Sequence, residues 1–223
     1  MPAALIFDFD GIILDTEQAE FAAWTRVYRE HGTALAFDEW VVCVGTLGAF
    51  DPVAHLAGLL GRPVDAAAVK ERKRVLNDAL LRDLPVLPGV RERLAEAKAA
   101  GVPCAIASSS TADWVEPLLA ARGLRGSFAV VSVRGGMLRA KPEPDTYLAA
   151  LAALGIPAGR AVALEDSMNG VAAAKAAGLY CVAVPNPVTA GMDLSRADRR
   201  IGSLLETDLH DLDQSLNQGR VPA

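Results

Sequence analysis

The chain predicts a doubly wound α/β fold, a parallel sheet with helices on both faces, into which a helical domain is inserted. Three observations carry that prediction. Short apolar runs of strand length alternate with helical patterns over most of the chain. Several of the helical patterns stop at a glycine, a common C-terminal signal. Residues 16–86 break the alternation with helical patterns alone.

In chain order, "ALIFDF" (4–9) is the first strand. "TEQAEFAAWTRVYREHG" follows as an amphipathic helix, with Phe21, Trp24, Val27 and Tyr28 at helical spacing. "PVAHLAGLLG" and "AAAVKERKRVLNDALLRDL" are further helices, and "LPVLPGV" (84–90) is the return linker. Residues 16–86 thus form a helical domain, and 1–15 with 87–223 form the α/β core. The core continues with strands "VPCAIAS" (102–108), a weaker "FAVVSV" (128–133), "AVALED" (161–166) and "LYCVAVP" (179–185). Helices "VRERLAEAKAAG", "TADWVEPLLAARG", "PDTYLAALAALG" and "SMNGVAAAKAAG" separate or precede them. The tail holds a short strand near 199–202 and a polar helix near 206–217. Right-handed crossovers put the strand C-terminal ends on one edge, and ligands bind at that edge.

The composition, 52% hydrophobic and 22% charged over 223 residues, supplies a sizeable core and argues against disorder. A formal net charge of −5 gives no basic field to recruit nucleic acid. No apolar run approaches the ~18 residues of a membrane span, so no membrane partner is expected. The N-terminus lacks a basic segment and its apolar run stops at Asp8, unlike a signal peptide. Cys43, Cys104 and Cys181 are odd in number and widely spaced; the last two lie in apolar runs and are expected as buried free thiols. Such usage fits a reducing cytoplasm. His31, His55 and His210 are scattered and expected at the surface or in the helical domain.

The informative residues are acidic. Strand alternation puts Ile6, Asp8 and, if the strand persists, Asp10 on one face, and Gly11 then permits a sharp turn. The spacing alone is weak evidence. "HDLDQ" repeats it with Asp211 and Asp213 in a polar tail, where a solvated helix face is the reading. The first pair differs because an apolar strand carries it. Ionised carboxylates are costly there unless paired or metal-bound. Glu165 and Asp166 close another apolar strand, with Ser167 placed to cap the next helix. If both strands are central and parallel, four carboxylates converge and need a cation. Oxygen ligands without nearby His or Cys point to Mg²⁺ rather than zinc.

A third strand ends in "SSST" (108–111), whose hydroxyls and backbone N–H groups suit a phosphate. Taken alone, N-capping is the favoured reading of that run. Lys141, in "AKPEPD", precedes proline and is expected on a loop, with Pro142 or Pro144 near a helix start. A lone lysine is usually a solvated charge. The ordered set of acid pair, hydroxyl, lysine and acid pair gives it another meaning.

That set resembles the haloacid dehalogenase-like (HAD) superfamily of phosphotransferases. The matching motifs are "DFDGIILDTE", "IASSS", "AKPEPD" and "ALEDSMNGVAAAKAAG", within residues 4 to about 187. The resemblance implies a Rossmann-like HAD core with an α-helical cap, similar to the family's phosphatases and β-phosphoglucomutases. It implies Asp8 as the nucleophile that forms an aspartyl-phosphate, and Asp10 as general acid and then base. It implies Mg²⁺ between Asp8, the backbone carbonyl of Asp10 and Asp166, with Glu165 as ligand or just behind. Ser108 and Ser109 would hold the phosphoryl group, Lys141 would neutralise it, and the cap would exclude water.

Departures from the family refine this. Asp10 is present where 2-haloacid dehalogenases and phosphonate hydrolases lack an acid/base Asp, so phosphoryl chemistry is preferred. β-Phosphoglucomutases carry basic residues in a cap loop, whereas "CVGTLGAFDP" (43–52) has none. The cluster "KERKR" (70–74) could supply a second anion site, with Lys73 the first choice for substrate contact. Its plain reading is a solvated helix face. Trp40, Val44, Leu47 and Phe50 make an apolar rim to the cap. The expectation is a cytoplasmic, monomeric, Mg²⁺-dependent phosphatase of a small phosphorylated metabolite. The alternatives are a sugar phosphomutase and a non-catalytic phosphate binder on the same fold.

Overall fold

The computed structural model describes residues 1–41 and 50–218. The chain divides into two compact units, Met1–Leu14 with Val86–Ala223 and Asp15–Pro85.

The first unit is a parallel sheet of order β3-β2-β1-β4-β5-β6. Its strands are β1 (Ala4–Phe7), β2 (Cys104–Ser108), β3 (Val130–Val133), β4 (Ala161–Glu165), β5 (Tyr180–Ala183) and β6 (Arg199–Arg200). β1 is central, with Ile6 in register with Ala105 on one side and Ala163 on the other. All four β1 side chains are fully buried. Burying Leu5, Ile6 and Phe7 contributes roughly 2–3 kcal/mol each, which lets the next residue be an acid without tearing the strand out. The connecting helices are α5 (Val90–Ala99), α6 (Ala112–Ala121), α7 (Asp145–Leu154) and α8 (Met168–Ala176), with α9 (Leu209–Gln218) last. α9 buries Leu209, Leu212 and Leu216; Asp211, on the other side, accepts from Arg199 and Thr207. Cys104 and Cys181 are free and buried, and burial pushes the Cys104 thiol up to about 12. Such thiols are inert.

The first strand is shorter than its sequence suggests. It ends at Phe7, and Asp8 adds one last rung by donating its N–H to the Leu164 carbonyl at 2.9 Å. The chain then turns, with Gly11 at φ 87° and its N–H on the Leu14 carbonyl at 2.7 Å. The strand does not persist to Asp10, so alternation on one face is not what places that residue. Asp10 sits in a bridge to Leu14 inside the turn. Leu14 in turn pairs antiparallel with Val86.

The second unit holds α1 (Thr16–Glu30), α2 (Phe37–Trp40), α3 (Pro52–Leu60) and α4 (Ala66–Arg82). An aspartate caps each of the three longer helices: Asp15, Asp51 and Asp65 accept from backbone N–H groups of the first turn. α1 buries Ala19, Ala23, Trp24, Val27 and Tyr28, and α4 buries Val69, Asn77 and Leu81. Trp40 is 1% exposed and packs on Phe21, so it is a core residue and not part of a rim. Val44, Leu47, Cys43 and most of "CVGTLGAFDP" lie outside the described residues. Among the described residues, no helix is long and apolar enough to cross a membrane.

Candidate active site

Asp8, Glu165, Asp166 and Lys141 meet beyond the C-terminal ends of the two central strands. Their exposures are 6%, 0%, 2% and 8%. Lys141 Nζ donates to Asp8 Oδ1 and to Glu165 Oε1, both at 2.5 Å. The lysine arrives on the loop before α7, through a cis bond to Pro142, and its backbone N–H donates to Ser109 Oγ at 3.0 Å. Burial opposes its charge, but the two carboxylates win and hold the ammonium above its ordinary range. Asp8 goes the other way: burial, then Glu165 and Asp10, push it up to about 7 against the pull of Lys141. One ammonium does not balance this much buried negative charge.

The residues fit a divalent metal. Asp8, Glu165 and Asp166 each offer a carboxylate oxygen, all within 4.8 Å of one another. Glu165 Oε1 takes Lys141 and the Tyr147 hydroxyl (2.6 Å), while Oε2 is buried with no partner among the described residues. A buried carboxylate oxygen left unpaired is costly, and a cation removes that cost. Hard oxygen donors without nitrogen or sulfur suit a Mg²⁺-class ion. Two glycines make the room. A Cβ on Gly170 would overlap the Glu165 carboxylate, and one on Gly11 would overlap Asp166. Ser167 caps α8 by accepting from the Gly170 N–H at 3.1 Å, as expected.

Asp10 stands close enough to raise Asp8 and is held by Ser110 of the β2–α6 turn and Trp114 of α6. Ser110 Oγ donates to its Oδ2 at 2.6 Å and Trp114 Nε1 donates to its Oδ1 at 2.9 Å. Ser108 is fully buried and its Oγ accepts from the Ser110 N–H at 3.0 Å. Thr111 stands at the N-cap of α6 with no side-chain cap bond. The capping expectation for "SSST" is therefore corrected: three of its hydroxyls are engaged by other partners. Arg134 braces the turn, its Nε on the Ser109 carbonyl at 2.8 Å.

Sequence reasoning missed Tyr147, Trp114 and Asn186. Tyr147 and Trp114 were hidden in helical patterns as apolar residues. Asn186 donates from Nδ2 to Asp166 Oδ2 at 2.8 Å, while its Oδ1 accepts from the Val188 and Thr189 N–H groups. Its signal was positional, a polar residue just past β5 on the ligand edge. In the helical unit, Lys73 Nζ pairs with Glu20 at 2.8 Å and lies 5.9 Å from the Trp24 ring centre. Arg72 pairs with Glu30, and Arg74 with Glu71 and Asp78.

The sequence model of the haloacid dehalogenase-like hydrolases matches residues 5–184. The chain belongs to that family. YhcW of Bacillus subtilis is 36% identical over 97% of this chain and 99% of its own length. Hexitol phosphatase B of Escherichia coli is 30% identical over 94% of this chain and 96% of its own. The crystal structure of Rhodobacter sphaeroides CbbY with xylulose-1,5-bisphosphate superposes with a TM-score of 0.78 at 32% identity. It spans 96% of this chain and 100% of that one. This haloacid dehalogenase-like protein is a phosphoric monoester hydrolase, and its acidic cluster is of the kind the family fills with a divalent metal.

Proposed function

We propose that the protein is a Mg²⁺-dependent phosphatase of a small sugar or polyol phosphate, working through an aspartyl-phosphate on Asp8. The observation that carries this reading is the convergence of Asp8, Lys141, Glu165 and Asp166 in a buried cluster, with Asp10 held alongside. Hexitol phosphatase B and the bisphosphate complex of CbbY support the substrate class.

Asp8, Asp166 and Glu165 would hold Mg²⁺, with the Asp10 backbone carbonyl. When bound, the ion neutralises charge on the phosphoryl oxygens. The Asp8 carboxylate attacks phosphorus and the bond to the alcohol oxygen breaks. Asp10 gives that oxygen its proton. Asp10 then takes a proton from water, whose oxygen attacks the phosphoryl group and releases Asp8 and inorganic phosphate. Lys141 holds Asp8 and faces the transferring charge; Ser108 and Ser109 shape the loop that receives the phosphoryl oxygens. Lys73, paired with Glu20 inside the helical unit, stays the candidate of that unit for substrate contact. A mutase needs a second anion site, and Arg72, Lys73 and Arg74 of the basic cluster are already engaged by carboxylates.

The test is phosphate release from a panel of sugar and polyol phosphates with Mg²⁺, beside Asp8→Asn. Wild type should release phosphate, and Asp8→Asn should lose at least ~10³-fold while staying folded by circular dichroism. Retained turnover in the variant, or isomerised sugar phosphate instead of free phosphate, would sink the reading.

A further inference from the structure

We propose that Trp114 is a positioning residue for Asp10, setting the direction in which that carboxyl meets the leaving alcohol. The inference rests on the acid/base reading of Asp10 and adds a residue outside the four motifs.

A carboxyl on a single Cβ swings about two soft torsions. Asp10 lies in a turn and is half-buried, so packing alone does not fix it. Two donors do. Trp114 Nε1 takes Oδ1 at 2.9 Å and Ser110 Oγ takes Oδ2 at 2.6 Å. With both oxygens engaged, the carboxyl plane is defined. One donor comes from the β2–α6 turn and the other from the first turn of α6, so one short segment, residues 110–114, sets it. Trp114 is the third residue of α6, and the helix fixes where its ring begins.

The two donors differ in kind. An indole N–H can only donate, whereas a hydroxyl donates or accepts. Trp114 therefore asks the same of Oδ1 before and after proton transfer to the alcohol. Ser110 can reverse its O–H and follow the proton on Oδ2. The indole is the fixed anchor and the serine the adaptable one. Misplacing a catalytic group by a fraction of an ångström costs rate without costing substrate binding.

The experiment compares kcat/KM for two esters: p-nitrophenyl phosphate, whose phenolate leaves with little protonation, and the fastest alkyl phosphate of the panel. In Trp114→Phe the alkyl ester should lose ~10-fold or more and the aryl ester less than ~3-fold, with KM nearly unchanged. Trp114→Tyr serves if the first variant does not fold. Asp10→Asn should show the same preference at about 10²–10⁴-fold. In nuclear magnetic resonance, the indole proton that disappears in Trp114→Phe should move upfield in Asp10→Ala. Equal losses on both esters, or an indole proton that ignores Asp10, would overturn the proposal. If Asp10→Asn shows the alkyl-selective loss and Trp114→Phe does not, this inference fails alone. If Asp10→Asn hydrolyses the alkyl ester as wild type does, the acid/base reading fails.

Discussion

Glu30 in the helical unit accepts from Arg72 at 2.6 Å, and Asp8 in the α/β unit accepts from Lys141 at 2.5 Å. Each carboxylate has a cation on it. Yet the bonds from Arg72 and Arg26 hold Glu30 down at about 2, while Asp8 is pushed up to about 7. The partner does not decide the sign; the surroundings do. Glu30 is in water, so its cations act on an already solvated charge. Asp8 has lost its water, and Glu165 crowds it with a second negative charge. The helical unit spends its charge on pairs that water would serve as well. The α/β unit keeps a deficit of positive charge inside, and that deficit is what a divalent cation would meet.

Three substitutions press on this contrast. Lys141→Met leaves two buried carboxylates without their ammonium. Breaking a buried pair costs about 3–5 kcal/mol, so chemical denaturation should show the α/β unit weakened by about 3, with activity lost. Stability equal to wild type would mean the deficit is not real. Asn186→Ala is milder. It frees Asp166 Oδ2 from its Nδ2 donor. Apparent Mg²⁺ affinity, read by calorimetry, should fall about 10-fold, as for other groups that orient a metal ligand. Arg72→Ala should do least. Its pair with Glu30 is open to solvent, and the melting temperature should not move measurably. A clear drop there would erase the difference between the units.

Much of this was legible in the sequence, for identifiable reasons. The central strands announced themselves because a strand buried on both faces is apolar along its length, as β1 is throughout and β2 and β4 are up to their last residues, Ser108 and Glu165. Asp8, Glu165 and Asp166 were found because acids at the ends of such strands have no structural excuse, and Lys141, on a loop, only because it falls in order within the set of motifs. Asp10 was found for a reason that does not hold: the strand ends before it, and the Gly11 turn delivers it. Trp114 and Tyr147 stayed hidden because an aromatic at helical spacing reads as core, and Asn186 because a polar residue in a loop past a strand reads as solvated. Their polar tips matter only once the fold brings partners roughly a hundred positions or twenty away, as in Trp114 to Asp10 or Asn186 to Asp166. Trp40 misled in the opposite sense, since a large apolar residue near a loop is as apt to fill a core as to line a rim.

The bridge between Leu14 and Val86 has a consequence for ancestry and engineering. The two chain crossings that bound residues 15–85 stand side by side as paired backbone inside the α/β unit. The doorway is closed by its own hydrogen bonds, including the Leu87 N–H on the Ile13 carbonyl at 3.0 Å. The sheet therefore registers only that a chain leaves and returns at one point. Doubling the length of such an excursion costs the host about 0.6 kcal/mol in closure entropy. The α/β unit can thus accept excursions of different length at this one point without moving Asp8 or its partners.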